Sequence, residues 1–215
     1  MSTALVIFDC DGVLVDSEPT AHRVFAEALL ELGLAPRDDD GDTFVGLSMD
    51  RCVEILEHRL GAALPPDFVE RLQRRTFAAF RAGLRPVPGV RAALDRIQPP
   101  ICVASSGEHE KMRLTLGLTG LLERFEGRMF SATDVARGKP HPDLFLHAAG
   151  ALGVDPCDCV VVEDSVPGVR GAVAAGMRAL GYSGRTEAAR LAAAGALAFA
   201  DMAELPELVA GTAAA

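Results

Sequence analysis

Residues 4–12 read Ala-Leu-Val-Ile-Phe-Asp-Cys-Asp-Gly, an apolar run that ends in two aspartates and a glycine. Consecutive apolar residues bounded by turn-forming residues are typical of a short strand that is buried on both faces. Polar residues directly after such a strand lie at its carboxyl end, which is the edge where open α/β sheets bind ligands. This stretch therefore predicts both a buried strand and a functional site that contains Asp9 and Asp11.

Further strand-like runs follow along the chain, and helical patterns alternate with them. Strands are expected at residues 101–104, 128–130, 160–162 and 179–182. Helices are expected at residues 108–116, 142–152, 166–175 and 187–194. Proline in the first turn of a helix and glycine just after its end support several of these bounds. The alternation predicts an α/β fold with a Rossmann-like parallel sheet.

The interval from Ser17 to about Gly83 has a different pattern, with apolar residues at helical spacing and no strand-like run. It is much longer than an ordinary crossover connection, which needs about a dozen residues. We therefore expect a small helical cap domain, residues 17–85, inserted after the first strand. The α/β core domain would comprise residues 1–16 and 86–215.

Acidic residues follow two of the predicted strands. Asp9 and Asp11 follow the first, and Glu163 and Asp164 follow residues 160–162. Two like charges 4 Å apart repel by about 4 kcal/mol at an effective dielectric constant of 20, so such a cluster needs a cation. Because every ligand would be an oxygen, Mg²⁺ is the best match. Single acids of this kind are more often solvated turn residues or helix caps, whereas four at one edge favour a metal site.

Four short motifs occur in order along the chain. The first is Asp-Cys-Asp-Gly-Val-Leu-Val-Asp-Ser at residues 9–17, and the second is Ser105 after a strand-like run. The third is Lys139, and the fourth is the pair Glu163-Asp164. Together they resemble the signatures of the haloacid dehalogenase (HAD) superfamily over nearly the whole chain. The helical interval resembles the C1 cap of subfamily I, and the chain is most similar to bacterial 6-phosphogluconate-phosphatase-like members of that branch.

The resemblance implies a phosphatase mechanism. Asp9 would be the nucleophile that attacks phosphorus and becomes an aspartyl phosphate. Asp11 would protonate the leaving alcohol and then activate the water that hydrolyses the intermediate. Members that remove a halide lack this second aspartate, because a halide leaves without a proton. Asp11 therefore favours phosphoryl transfer.

The same resemblance implies how the site would bind the phosphoryl group and its metal. Lys139 would supply a positive charge to the nucleophile and a phosphate oxygen, and Ser105 would donate its hydroxyl to another phosphate oxygen. The Mg²⁺ ligands would be Asp9, Asp164, the backbone carbonyl of Asp11 and, directly or through water, Glu163. Taken alone, Lys139 is more often a surface lysine and Ser105 a helix cap, but the ordered motifs favour the catalytic assignment.

A phosphosugar mutase of the β-phosphoglucomutase type is the main alternative. That pattern has a histidine twelve positions after the nucleophile, where this chain has Ala21. The cap motif Gly-x-Ser-Arg reads Gly-Leu-Ser-Met at residues 46–49, and Gly107 and Glu108 stand where the mutase pattern has serine and lysine. These departures remove groups that would bind a distal phosphate, so a hydrolase is favoured. A non-catalytic sensor of phosphorylated metabolites is a second alternative, which the two catalytic aspartates disfavour.

Composition limits the partners. The 215 residues include 21 Lys and Arg against 30 Asp and Glu, so the formal net charge is −9. Nucleic-acid binding needs a basic face, and we expect a small phosphorylated metabolite instead. No apolar run approaches the roughly 20 residues that cross a bilayer, so no membrane partner is expected. The five scattered cysteines indicate free thiols in a reducing compartment, and we expect a cytoplasmic protein that is a monomer or weak dimer.

Overall fold

The computed structural model describes residues 3–35 and 49–211, and the chain divides into two compact units. The first unit comprises Met1–Asp16 and Arg85–Ala215, and the second comprises Ser17–Leu84. The chain thus returns to the first unit one residue before the boundary expected from the sequence. At this point the backbone N–H of Asp16 donates to the carbonyl oxygen of Arg85 at 2.9 Å, which joins the outgoing and returning segments.

The first unit contains a six-stranded sheet in the order β3-β2-β1-β4-β5-β6, and every pair of neighbours is parallel. This confirms the predicted α/β fold with a parallel sheet. The strands are β1 Leu5–Phe8, β2 Ile101–Ser105, β3 Met129–Ser131, β4 Cys159–Glu163, β5 Arg178–Tyr182 and β6 Leu197–Phe199. Within the described residues, no helix combines the length and apolar character that a bilayer crossing needs.

The position of β1 decides where the site lies. This strand is fully buried and pairs with β2 on one side and β4 on the other. Its last residue, Phe8, is level with Val103 in β2 and Val162 in β4. The residues just after these three positions therefore meet at one edge of the sheet.

Ten α-helices lie in the described part of the chain. Three of those in the first unit were not expected from the sequence, because their four to seven residues are too few for helical periodicity to be recognised. These are the helices at residues 90–96, 122–125 and 205–210. The helices are α1 Glu18–Glu31, α2 Met49–Leu60, α3 Phe68–Gly83, α4 Val90–Arg96, α5 His109–Leu118, α6 Leu122–Phe125, α7 Asp143–Ala151, α8 Val166–Ala174, α9 Ala188–Ala193 and α10 Leu205–Ala210.

Strand β6 was also missed. It has three residues, and Leu197 at its start is largely exposed, so it lacks the continuous apolar run of a central strand. It lies at the edge of the sheet and pairs only with β5 among the described strands. An edge strand of this length leaves little trace in a sequence.

Side chains from alternate positions of the strands form the core on the two faces of the sheet. Leu5 and Ile7 of β1 belong to a buried cluster that also includes Phe145 of α7 and Val169 of α8. Phe8 points to the opposite face, where its ring meets the ring of Phe125 edge to face at 6.2 Å between centroids. Both faces of β1 are therefore packed, which explains its unbroken apolar sequence.

The second unit is helical throughout its described part, as the apolar spacing predicts. Its core is formed by residues from α1, α2 and α3 and the segment before α3: Val24, Ala28, Leu29, Leu56, Leu64, Phe68 and Leu72. Arg75 of α3 donates to Glu31 and Glu27 of α1 at 2.7 and 3.1 Å. These surface ion pairs link α1 and α3, while burial of the apolar side chains supplies most of the stability.

Adjacent leucines in α1 provide a matched test of this packing. Leu29 is 0% exposed and Leu30 is 62% exposed. Leu29→Ala should lower the free energy of unfolding by about 2–5 kcal/mol, since it removes buried methyl groups and leaves a cavity. Leu30→Ala should change the free energy of unfolding by less than about 1 kcal/mol. Urea titration followed by circular dichroism measures both, and equal losses would contradict the assignment of this helix face to the core.

Candidate active site at the carboxyl ends of the central strands

Asp9 is the first residue after β1 and is buried. Its backbone N–H donates to the carbonyl oxygen of Val162 in β4 at 2.9 Å, so the ladder between the two strands fixes its position. Burial raises the pKa of the Asp9 carboxyl to about 7, and the nearby charges of Glu163 and Asp11 add to this effect, whereas Lys139 opposes it. The protein therefore disfavours a negative charge on Asp9 unless another cation is close.

Glu163, the last residue of β4, is completely buried. Its Oε2 accepts hydrogen bonds from the backbone N–H groups of Asp164 and Ser165 at 3.1 and 3.0 Å and from the Ser165 hydroxyl at 2.8 Å. A Cβ added to Gly168 in α8 would lie 1.9 Å from Glu163 Oε1. The helix can approach this carboxylate only because residue 168 is glycine, and the approach fixes Glu163 in one position.

Lys139 joins the two buried acids. Its Nζ lies 2.5 Å from Asp9 Oδ1 and 2.5 Å from Glu163 Oε1, and it also donates to the carbonyl oxygen of Ala104 at 3.1 Å. Its side chain is only 4% exposed, and the ammonium lies 5.2 Å from the centre of the Phe145 ring. Burial disfavours the charge on Lys139, but the two carboxylates outweigh burial and raise the pKa, so the lysine stays protonated.

Three acids form a cluster with the geometry of a metal site. Carboxylate oxygens of Asp9, Glu163 and Asp164 all lie within 4.8 Å of one another. Gly12 makes this possible, because it has φ +79° and a Cβ there would lie 1.9 Å from Asp164 Oδ2. An all-oxygen donor set of this charge fits a hard divalent cation. The chain therefore has a buried acidic cluster that suits a divalent metal ion.

Asp11, the fourth acid expected at this edge, does not contribute its side chain to that cluster. The carboxylate Oδ2 instead accepts a hydrogen bond from Lys111 Nζ at 2.8 Å. Sequence reasoning missed Lys111, which lies in the first turn of α5 and belongs to none of the four motifs. One signal was present: the first turn of a helix disfavours a cation because of the helix dipole, so a lysine there is out of place unless it has an acidic partner.

Ser105 ends β2 at the same edge of the sheet and is buried. Its Oγ accepts a hydrogen bond from the Gly107 N–H at 3.0 Å. A Cβ added to Gly107 would lie 3.4 Å from Ser105 Oγ and 3.8 Å from Asp11 Oδ2, so this hydroxyl lies near the acid that follows β1. The fold thus brings Ser105 into the same group of residues as Asp9, Lys139 and Glu163.

The structure describes some of the positions that distinguish a mutase from a hydrolase. Ala21 lies in α1, and Gly107 and Glu108 lie directly before α5. Residues 46–48 lie outside the described residues, as does the side chain of Met49. The distal-phosphate motif therefore remains a prediction from sequence.

Known proteins resemble this chain over almost its whole length. 6-Phosphogluconate phosphatase of Escherichia coli K12 is 32% identical over 205 residues, which cover 94% of this chain and 93% of that protein. Hexitol phosphatase B of the same organism is 33% identical over 181 residues, or 81% of each chain. The crystal structure of a haloacid dehalogenase-like protein from Agrobacterium tumefaciens has a TM-score of 0.85 at 35% identity, and covers 98% of this chain and 99% of that one.

A family profile gives the same result. Residues 3–176 match the haloacid dehalogenase-like hydrolases, a range that includes β1, both lysines and all the acids described above. The resemblance inferred from the four motifs is thereby confirmed. The chain belongs to the haloacid dehalogenase-like hydrolase family.

Proposed function

We propose that this hydrolase removes the phosphoryl group from a small sugar phosphate through a covalent intermediate on Asp9, with Mg²⁺ as its metal. The observation that carries the proposal is the buried contact of Lys139 with both Asp9 and Glu163, beside the acidic cluster. The reaction class is phosphoric monoester hydrolysis, and the protein is a phosphatase of small phosphorylated metabolites. Sugar phosphates are the proposed substrates because 6-phosphogluconate and hexitol phosphatases are among its relatives.

In the first step a carboxylate oxygen of Asp9 attacks phosphorus, and the bond between phosphorus and the leaving alcohol oxygen breaks. Asp11 transfers its proton to that oxygen, so the product leaves as an alcohol. In the second step Asp11 takes a proton from water, the water oxygen attacks phosphorus, and the bond to Asp9 breaks. Inorganic phosphate is released, and both aspartates return to their starting states.

Lys139 and Ser105 prepare the site for this chemistry. Lys139 holds Oδ1 of Asp9 in one position, which limits the orientations from which the carboxylate can attack. Its positive charge also stabilises the negative charge that develops on the phosphoryl oxygens. The hydroxyl of Ser105 can donate to a phosphoryl oxygen while its Oγ still accepts from the Gly107 N–H.

The metal would be held by Asp9, Asp164, the backbone carbonyl of Asp11 and, directly or through water, Glu163. Mg²⁺ is proposed because the donors are all oxygens, and this ion is commonly held by one or two carboxylates together with waters and oxygens of a substrate phosphate. When bound, the ion neutralises charge on the phosphoryl oxygens and orients the phosphate for in-line attack. It also offsets the burial that raises the pKa of Asp9.

Two alternatives remain to be tested. A phosphosugar mutase would need groups for a distal phosphate, yet Ala21, Met49, Gly107 and Glu108 occupy positions where the mutase pattern has His, Arg, Ser and Lys. A non-catalytic sensor would need no intact nucleophile or proton donor, and both are present. A phosphate-release screen over sugar phosphates, phosphoglycolate and 6-phosphogluconate, with and without Mg²⁺, distinguishes a phosphatase from a sensor and identifies the substrate.

The nucleophile is tested by Asp9→Asn. The amide cannot form the acyl phosphate, so turnover should fall by about 10³-fold or more while the protein stays folded. Asp95→Asn is the matched control, because Asp95 is an exposed aspartate that pairs with Arg124. Activity of Asp9→Asn within tenfold of the unmodified protein would refute the assignment.

Metal dependence is tested by chelation. EDTA should abolish turnover and added Mg²⁺ should restore it, because the clustered acids need a hard cation. Calorimetric titration of the metal-free protein provides a second measurement: Asp164→Asn should weaken Mg²⁺ binding at least tenfold, whereas Asp95→Asn should leave it unchanged. Full activity in excess EDTA would disprove the metal assignment.

The hydrolase and the mutase make different products from the same mixture. With β-glucose 1-phosphate and catalytic β-glucose 1,6-bisphosphate, we expect inorganic phosphate or no reaction, and little glucose 6-phosphate. The missing distal-phosphate groups should leave the phosphoenzyme to react with water rather than with a second phosphosugar. Faster formation of glucose 6-phosphate than of inorganic phosphate would establish the mutase instead.

A further inference from the structure

Lys111 is a cation of the site that none of the four motifs contains. Its Nζ donates to Asp11 Oδ2 at 2.8 Å, across 100 positions of sequence. Both residues belong to the first unit: Asp11 lies in the turn after β1, and Lys111 is the third residue of α5. The contact is therefore made within one compact unit by two fixed elements.

Gly107, in the loop before α5, leaves space for the contact between Lys111 and Asp11. A Cβ on Gly107 would lie 3.3 Å from Lys111 Cδ and 3.8 Å from Asp11 Oδ2, so the absence of a side chain there leaves room for the lysine to cross the loop. A cation in the first turn of a helix is also opposed by the helix dipole. The ion pair with Asp11 compensates for that unfavourable position.

The two lysines of the site differ in exposure. The side chain of Lys139 is 4% exposed and contacts the buried Asp9 and Glu163. The side chains of Lys111 and Asp11 are 31% and 22% exposed. Lys139 thus lies in the interior of the site, and Lys111 lies on its more solvent-accessible side.

A proton carrier in a metal site has a specific difficulty. A carboxylate close to a divalent cation is drawn into its coordination shell, and a ligating carboxylate is a poor proton donor. Asp11 follows Asp9 by two residues and its carbonyl is a proposed ligand, so its side chain is exposed to this competition. Lys111 offers the carboxyl group a partner in a different direction, and Oδ2 can accept from Lys111 while the other carboxyl oxygen carries the proton.

We infer that Lys111 is a positioning residue, which holds the carboxylate of Asp11 away from the metal ligands and toward the leaving group. This inference rests on the proposed function, because it assumes that Asp11 transfers the proton. It also gives α5 a part in catalysis that the four motifs do not assign.

The inference is tested with two aryl substrates of nearly the same shape. Phenyl phosphate has a basic leaving group that needs a proton, whereas 4-nitrophenyl phosphate has a more acidic one that departs without it. We measure kcat/KM, which reports the steps up to departure of the leaving group. Lys111→Met should lower kcat/KM for phenyl phosphate at least tenfold and for 4-nitrophenyl phosphate less than threefold.

Two further variants and a binding measurement complete the test. Lys111→Arg keeps the charge and should recover at least a third of the phenyl phosphate activity. Arg113→Met removes an exposed cation of the same helix, which pairs with Glu126 at 2.7 Å, and should leave both substrates unaffected. Calorimetry should show tighter Mg²⁺ binding by Lys111→Met than by Lys111→Arg, since the released Asp11 carboxylate becomes available to the metal.

The outcomes separate this inference from the proposed function. Equal losses for the two substrates would mean that Lys111 binds the phosphate or the ring, and no loss would mean that its contact is only structural; either result overturns the inference. Asp11→Asn provides the reference. If Asp11→Asn retains full activity toward phenyl phosphate, the proposed function itself fails, whatever Lys111 does.

Discussion

The ammonium of Lys139 lies between two buried carboxylates, 2.5 Å from an oxygen of each, and the rest of the site depends on this interaction. Without the lysine, Asp9 and Glu163 would face each other with little solvent to screen them. Without the acids, a buried ammonium would lose its only strong compensation. Removal of one partner from such a group leaves an uncompensated charge, which costs about 3–5 kcal/mol. Lys139, Asp9 and Glu163 therefore stabilise one another, and together they hold the site in one arrangement.

The order of the strands makes this interaction geometrically possible. Asp9, Ala104 and Glu163 are far apart in sequence, but β1 lies between β2 and β4, so their positions are adjacent at one edge of the sheet. Gly12 and Gly168 then allow Asp164 and Glu163 to pack closer to the backbone than any side chain would permit. The acids and the lysine of the candidate site are thus held in place by the sheet and by two glycines that leave room for them.

The sequence predicted what depends on local patterns and missed what depends on a three-dimensional contact. The buried strands are apolar runs, so β1, β2, β3, β4 and β5 were expected, whereas β6 has three residues at an exposed edge and has no such signal. The residues that follow strands could be placed close together from the sequence, because strand ends share one edge of a parallel sheet. Lys111 was missed because its partner lies across a loop from α5, and no spacing rule connects residue 111 with residue 11.

The charges of the site also give the proposed metal a role in substrate binding as well as in chemistry. With Asp11 protonated, as the first step requires, Asp9, Glu163 and Asp164 carry three negative charges, and Lys111 and Lys139 supply two positive ones. One negative charge remains, and the formal net charge of the whole chain is −9. A phosphate monoester is itself an anion and would be repelled from such a site. One divalent cation would make the site net positive, so on the proposed mechanism the metal favours the entry of a phosphorylated substrate.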